Sequence, residues 1–598
     1  MSERELRDLI AAVKAGKVDR RSFVRTLAAF GLSAPFAGLL LPQTAGAQAP
    51  ATVEYKPTSA GGGGVLRTLF WQAPTLINPH FAVGTKDQEG SRIFYEPLAA
   101  WDVDGNLVPM LAAEIPSVED GGIAADGLSV IWKLKRDVQW HDGRPFTADD
   151  VVFNWEYAAD PATAATTLGT YRDVAVDKLD PHTVQVRFQT PTPFWADAFV
   201  GQRGMIIPKH LFEPYKGATS RDAPQNLRPV GTGPYRFVDF KPGDMVKGER
   251  NPNYREANRP YFDIIEMKGG GDAVSAARAV IQTGEYDFAW NMQVEDEILR
   301  RLESGGAATG GIVILPGGAV EYIQLNATDP WTEVDGERSS AKTQHPLFSD
   351  RVVCQALTLL VDRRSVETFI YGRTGTATGN FINNPQRFVS KNTTWEFNIE
   401  KANQLLEAAG WQRGSDGIRT KDGKQLKLVY HTSINGPRQK TQAIVKQSCQ
   451  QAGIDIEIKA TTASVYFSSD LANPDISKKF PADLQMSTTF MNAPDPGAFM
   501  RQFLSWEIAT KANKWQGLNT SRWHSEEYDR AYRAAERELD PVKRAALFIE
   551  MNDRVVNAAA VIPIVYRPGV HAVSHNLVAS LSAWDSVFYN LKDWHRTA

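Results

Sequence analysis

Residues 426–458 read LKLVYHTSINGPRQKTQAIVKQSCQQAGIDIEI, and this stretch decides the fold class. Leu426, Leu428, Val429 and Tyr430 form an apolar run of strand length, and Ile454-Asp455-Ile456-Glu457-Ile458 alternates strictly, the period of a half-buried strand. Between them, Pro437 to Ala452 reads as a helix closed by Gly453. A strand, a helix and a strand in that order predict a right-handed crossover with parallel strands. Just upstream, Asp422-Gly423 marks a tight turn. Ile399, Ala402, Leu405, Leu406 and Ala409 fall at helical spacing, with Asn398 as N-cap and Gly410 as stop. Downstream, a helix from Pro541 to Ala558 precedes a buried strand at Val561-Ile562-Pro563-Ile564-Val565-Tyr566. The chain is α/β throughout.

The 598 residues are 42% hydrophobic and 23% charged, a globular composition with room for three or four compact units. Lys and Arg number 66 against 69 Asp and Glu, with no long basic run, so no electrostatic footprint for nucleic acid exists. Two cysteines, Cys354 and Cys449, are too few for a disulfide scaffold or a four-ligand zinc site, and their pairing is open. No repeat at a period of 20 to 50 residues points to a solenoid or propeller.

The N-terminal segment reads as an address. Asp19-Arg20-Arg21-Ser22-Phe23-Val24-Arg25 precedes a mildly apolar stretch from Thr26 to Leu41, broken by Gly31, Pro35 and Gly38, and Ala45-Gly46-Ala47 supplies a small-residue cleavage site. This resembles a twin-arginine signal, which predicts passage through the twin-arginine translocase and cleavage before Gln48. No cysteine follows the apolar run, so no lipid anchor is expected, and no later segment is apolar for 18 residues. The expectation is a soluble, monomeric periplasmic protein, with residues 48–64 a flexible leader ending in four glycines.

Catalytic constellations are missing from the sequence. It contains no G-x-S-x-G elbow, H-E-x-x-H helix or G-x-x-x-x-G-K-[ST] loop, and Gly231-Thr232-Gly233 continues with Pro234-Tyr235-Arg236, which rules out a dinucleotide fingerprint. His141-Asp142 precedes Gly143 and Pro145, a turn composition, and His571 with His575 lack further ligands, so no metal, cofactor or enzyme activity is assigned. An exported hydrolase or redox enzyme is the disfavoured alternative. Fifteen tryptophans are informative, because Trp71, Trp290 and Trp515 sit beside polar residues, as suits a cleft that stacks on a ligand.

Several segments together resemble the family 5 solute-binding proteins of ABC importers. Tyr95-Glu96-Pro97-Leu98, Asp104-Gly105-Asn106-Leu107-Val108-Pro109 and Leu111-Ala112 are similar to the family's opening. Trp132 to Phe153, with His141-Asp142-Gly143-Arg144-Pro145-Phe146-Thr147-Ala148-Asp149-Asp150-Val151 inside it, resembles its most specific signature. Gly231-Thr232-Gly233-Pro234-Tyr235, Arg250-Asn251-Pro252-Asn253-Tyr254, Gly284-Glu285-Tyr286-Asp287, Tyr322-Ile323-Gln324-Leu325-Asn326 and Pro494-Asp495-Pro496 follow in the family's order. Physically the signatures read as structural: Asp142-Gly143 turns the chain, Thr147 caps a helix, and Gly231 and Gly233 permit sharp backbone geometry.

The resemblance implies an α/β, two-lobed, three-domain periplasmic-binding-protein-like fold of the cluster C type. Domain I would comprise 65–110, 225–330 and 561–598, domain II 111–224, and domain III 331–560. It implies a small-molecule ligand held between lobes that close by hinge motion, and delivery to ABC permease subunits. In peptide-binding members an aspartate three residues before the "DP" acid pairs with the ligand's ammonium; here that position is Asn492, and an amide cannot neutralise an ammonium. The family disulfide would fall on Ala319 and Met491, and is therefore absent. The expected cleft residues are Trp290, Asn291, Tyr322, Asn326, Arg438, Phe490 and Asn492, with Asp495 structural. The expected ligand is a peptide or peptide-like solute, with an oligosaccharide or opine-like solute as the alternative.

Overall fold

The computed structural model describes residues 63–305 and 308–597, together with Ala12 and Lys17. Apart from those two residues, the export signal expected at 1–47 and the leader up to residue 62 lie outside the described residues. The folded body opens on strand β1 (Val65–Phe70) and helix α1 (Thr85–Arg92). Next, β2 (Ser129–Lys133), helix α2 (Ala148–Ala159), β3 (Val174–Asp180) and β4 (Thr183–Phe188) build a small antiparallel sheet of order β2-β4-β3 with α2 packed on it.

The family-like signature is structural here, and the reason differs between its parts. Thr147 closes a capping box: its hydroxyl accepts from the Asp149 amide, while Asp150 accepts from the Thr147 amide. Gly143 sits at φ 87°, left-handed, as a tight turn requires. Gly231 and Gly233 do something else. Neither is left-handed, and a Cβ on them would lie 1.9 Å and 2.6 Å from the Phe94 carbonyl oxygen, so close approach of two backbones, not a sharp turn, demands glycine. His141 joins the same junction: its buried ring accepts from the Gly231 amide at 3.0 Å and donates to the Gly233 carbonyl at 3.1 Å, and burial holds its pKa down to about 4.

Strands β5 (Tyr235–Lys241), β6 (Met245–Arg250), β7 (Ile264–Gly269), β8 (Phe288–Ala289) and β9 (Gly310–Leu325) begin the main sheet. Helix α3 (Ile399–Ala408), β10 (Lys427–Ser433), α4 (Gly436–Gln451), β11 (Asp455–Thr461), β12 (Leu484–Thr489), α5 (Pro541–Asn557) and β13 (Val561–Ser574) complete it. The order is β11-β10-β12-β9-β13-β8-β1-β7-β6-β5, with a two-residue strand at Thr376–Ala377 also on β13. β10 and β11 are adjacent and parallel, Lys427 opposite Asp455, as the period change in 426–458 predicts. Asn398 caps α3 by accepting from the Lys401 amide, and the terminal strand runs on past Tyr566 to Ser574.

β9 and β13 are the long strands that tie two lobes together. They pair with each other along their length; the second half of β9 also pairs with β12, which leads on to β10 and β11, and the end of β13 pairs with β8, which leads on to β1. Between them the ladder breaks: Leu315 faces Gly569 and Ala319 faces Arg567, leaving Pro316-Gly317-Gly318 out of register. One apolar cluster runs from Trp132, Trp140 and Tyr157 of the first lobe across to Phe381, Phe499 and Tyr528 of the second, while Leu357, Leu406, Tyr430 and Ile456 form a separate, second cluster. Cys354 and Cys449 belong to that second core as free, buried thiols, each pushed up to about 12 by burial.

Candidate functional site

A cavity of about 190 Å³ at the ends of β8 and β12 is walled by both lobes. From the first lobe come Gln72, Lys86, Thr166, Arg203, Trp290 and Asn291; from the second come Arg438, Phe467, Lys478, Thr488, Phe490 and Asn492. Another cavity of about 180 Å³, between residues 169–198 and 495–544, takes no residue from those strand ends. A broader groove of about 790 Å³ is lined only by residues between Arg351 and Ala558, so it belongs to the second lobe alone. Lobe closure acts on the first cavity and not on the groove, which makes the first the ligand-site candidate.

The strand ends set the cavity wall. Trp290 and Asn291 follow β8 directly, and Phe490 and Asn492 follow β12, where open α/β sheets bind their ligands. Trp290 stacks on Phe70 at 5.4 Å between ring centres, so one of its faces is already covered. Asn291 is left-handed at φ 54°, and three partners fix it: its side-chain oxygen accepts from Arg567 at 2.8 Å, its carbonyl from the Trp71 indole at 2.8 Å, and its amide donates to His571. His571 is itself buried and neutral, its pKa held down to about 3.

Arg438 enters at the start of α4, whose N-cap Asn435 accepts from the Arg438 amide. Its guanidinium donates to Glu321 at 2.8 Å, to the Ser433 hydroxyl at 2.7 Å and to Thr488 at 3.0 Å. Burial alone would lower its pKa; Glu321 beside it more than offsets that and leaves it raised. Arg567 sits 3.9 Å from the same Glu321, so two guanidiniums share one buried carboxylate. Arg438 thus positions Thr488 and the cavity floor with three of its five N–H donors.

Asn492 is committed as well. Its amide donates to the Gln202 side chain of the opposite lobe at 2.9 Å, and Gln202 donates on to Glu89. Burial raises the Glu89 carboxyl to about 8, so the chain ends on a protonated acid held by Ser586 and the Val587 amide. Asn492 is a bridge between lobes, with its oxygen and its second N–H left for a solute. Asp495 pairs with Arg544 and accepts from the Gly497 amide at 2.8 Å, a contact just before the short helix whose N-cap is Pro496.

The structure brings Trp290, Asn291, Arg438, Phe490 and Asn492 to one cavity. Tyr322 and Asn326 stand outside it, which corrects the sequence expectation. The Tyr322 ring packs edge-on against Phe381, and fully buried Asn326 donates to the Phe480 and Ala482 carbonyls and to Ser339. Both follow from strand alternation on β9: Glu321, not Tyr322, points toward Arg438. Lys86, Arg203 and Lys478 were invisible to sequence reading, because they sit in a short helix and two 3-10 turns with no signature around them.

A two-lobed α/β fold whose parallel strand ends meet in a cleft defines a binding protein. The model of the bacterial extracellular solute-binding proteins, family 5 (Middle), matches residues 106–511, and the chain belongs to that family. It is 28% identical to the oligopeptide-binding protein AppA of Bacillus subtilis (strain 168) over 64% of this chain and 66% of that protein. It is 24% identical to the glutathione-binding protein GsiB of Salmonella choleraesuis over 84% of this chain and 89% of that protein. The structure of AppA with a nonapeptide superimposes with a TM-score of 0.77 at 24% identity, covering 91% of this chain and all of that one.

Proposed function

We propose that this protein is an exported receptor that captures a peptide or peptide-like solute between its lobes and delivers it to the permease of an ABC importer. The observation that carries the reading is a cavity between the lobes at the ends of strands β8 and β12, in a chain of the solute-binding family. Domain I (65–110, 225–330, 561–598) and domain II (111–224) form one lobe and domain III (331–560) the other; β9 and β13 form the hinge. The protein works in the periplasm as a monomer without lipid, reaching it through the twin-arginine translocase after loss of residues 1–47. It is not an enzyme.

Among the described residues, no helix is long and apolar enough to cross a membrane. Asn492 in place of an ammonium-binding acid favours a second reading, an opine-like or oligosaccharide solute. The test is denaturing mass spectrometry of the protein recovered from the periplasm, with calorimetry of whatever solute co-purifies. Recovery of a stoichiometric peptide-like solute and an N-terminus at Gln48 is the expected result. A protein that retains no solute and responds to none in calorimetry overturns the receptor reading.

A further inference from the structure

Four cations line the inter-lobe cavity, Lys86, Arg203, Arg438 and Lys478, and among the described residues no aspartate or glutamate lines it. Two of the four are already neutralised. The Lys86 ammonium lies 2.7 Å from Asp87, and Arg438 lies 2.8 Å from Glu321. Arg203 and Lys478 differ: neither forms an ion pair with a described residue. They come from opposite lobes, in the 3-10 turns Gly201–Arg203 and Ser477–Lys479.

A third cation stands behind them. Arg221 stacks on Phe81 and reaches the Ser469 carbonyl at 3.5 Å, but its buried Nε and one terminal nitrogen have no partner. Lys478 senses both arginines: burial, then Arg221 and Arg203, press its pKa down to about 7, with Glu507 the acid that opposes them. Glu507 is itself engaged by Arg172 at 3.5 Å. Arg203 is pressed by burial and by Arg501 and opposed by Asp197 and Glu507, neither of which pairs with it, so closing the lobes still brings Arg203 and Lys478 together across the cleft, a cost that a bridging anion removes.

We infer that the solute is a compact acid, carrying at least two carboxylate or phosphate groups and no free ammonium, which Arg203 and Lys478 grip from opposite lobes. This rests on reading the cleft as the receptor's site. The cavity of about 190 Å³ is below the roughly 300–1,000 Å³ of ordinary ligand pockets, which fits a small solute and not an extended peptide. A zwitterionic peptide would place its ammonium among cations with Asn492 as the only substitute for an acid, so the same geometry rejects it.

The experiment is calorimetry on the full exported protein with three probe classes: acids without an amine (N-acetyl-aspartyl-glutamate, tricarballylate and phosphoenolpyruvate), zwitterionic trialanine, and neutral maltotriose. At least one acid is expected to bind, and the double variant Arg203→Gln/Lys478→Gln to weaken it at least tenfold while the protein keeps its native circular-dichroism spectrum. The co-purified solute of the wild type, sized by mass spectrometry, is expected to be acidic. Binding of trialanine or maltotriose in preference to every acid, or acid binding indifferent to the double variant, overturns the inference and leaves the receptor standing. A protein that binds no probe and carries no solute overturns both.

Discussion

At the scale of single residues, Lys478 shows how a binding group costs the free protein stability. Arg203, Arg221 and Glu507 are the charged groups that act on it, and burial with the two arginines sets its folded pKa near 7 against an ordinary 10.5. Between those values the unfolded chain holds a proton that the folded protein does not, so stability rises with pH across that window and the full penalty applies below it. Lys478→Met is therefore expected to raise the melting temperature of the solute-free protein at pH 6 and to shrink that gain by pH 10, read by calorimetric scans of both proteins. Equal melting temperatures at pH 6 would show that the lysine carries no penalty. Glu89 has the opposite sign. Its carboxyl is raised to about 8 by burial, so the folded state holds a proton that the unfolded chain loses above its ordinary 4.5, and stability falls as pH rises through that range. Glu89→Gln is expected to flatten that fall, with buried Asp585, raised to about 6, and the raised carboxyls of Asp150 and Glu536 contributing to the slope that remains.

Elements were legible where a segment carries its own instructions. The β10-α4-β11 unit follows from its change of period, α3 from Asn398, and the Arg419–Lys421 to Gln425 hairpin from Asp422-Gly423, both of which are left-handed. Thr147 is the sharpest case, since one hydroxyl starts α2 and the spacing to Asp150 announces it. Thr147→Ala is expected to cost about 1 kcal/mol, seen as a lower urea midpoint with an unchanged slope. The site was legible only in part, because a cleft is made by segments far apart in the chain. The family resemblance pointed to Asn492 and a tryptophan among polar neighbours to Trp290, yet nothing local distinguishes Arg203 or Lys478 from any surface cation. Tyr322 and Asn326 failed for a related reason: a motif on β9 gives the strand, whereas the face each residue takes is set by β12 and β13 on either side.

For the whole molecule, the decisive feature is that the lobes meet through polar contacts around the cleft as well as through a shared apolar cluster behind it. Asn492 donates to Gln202, Thr75 meets Ser469 at 2.9 Å, and Arg501 reaches Asp197 at 2.7 Å and Thr170 at 2.9 Å. Polar contacts of this kind exchange with water on opening, so a solute that adds contacts only in the closed form shifts the balance toward it. Pro316-Gly317-Gly318, opposite Pro568-Gly569, is where the long strands lose register and can bend. Gly318 also fits tightly: a Cβ there would lie 2.6 Å from the Met491 Cβ, next to Asn492. Gly318→Val therefore bears on the closed form through Met491 without touching the cavity. If it reduces the closed fraction to about a tenth, apparent solute affinity falls about tenfold, because only the closed form completes the site. The expected result is that loss in calorimetry, together with a larger radius of gyration in small-angle scattering and a native circular-dichroism spectrum. Unchanged affinity with unchanged scattering would place the hinge elsewhere in β9 and β13.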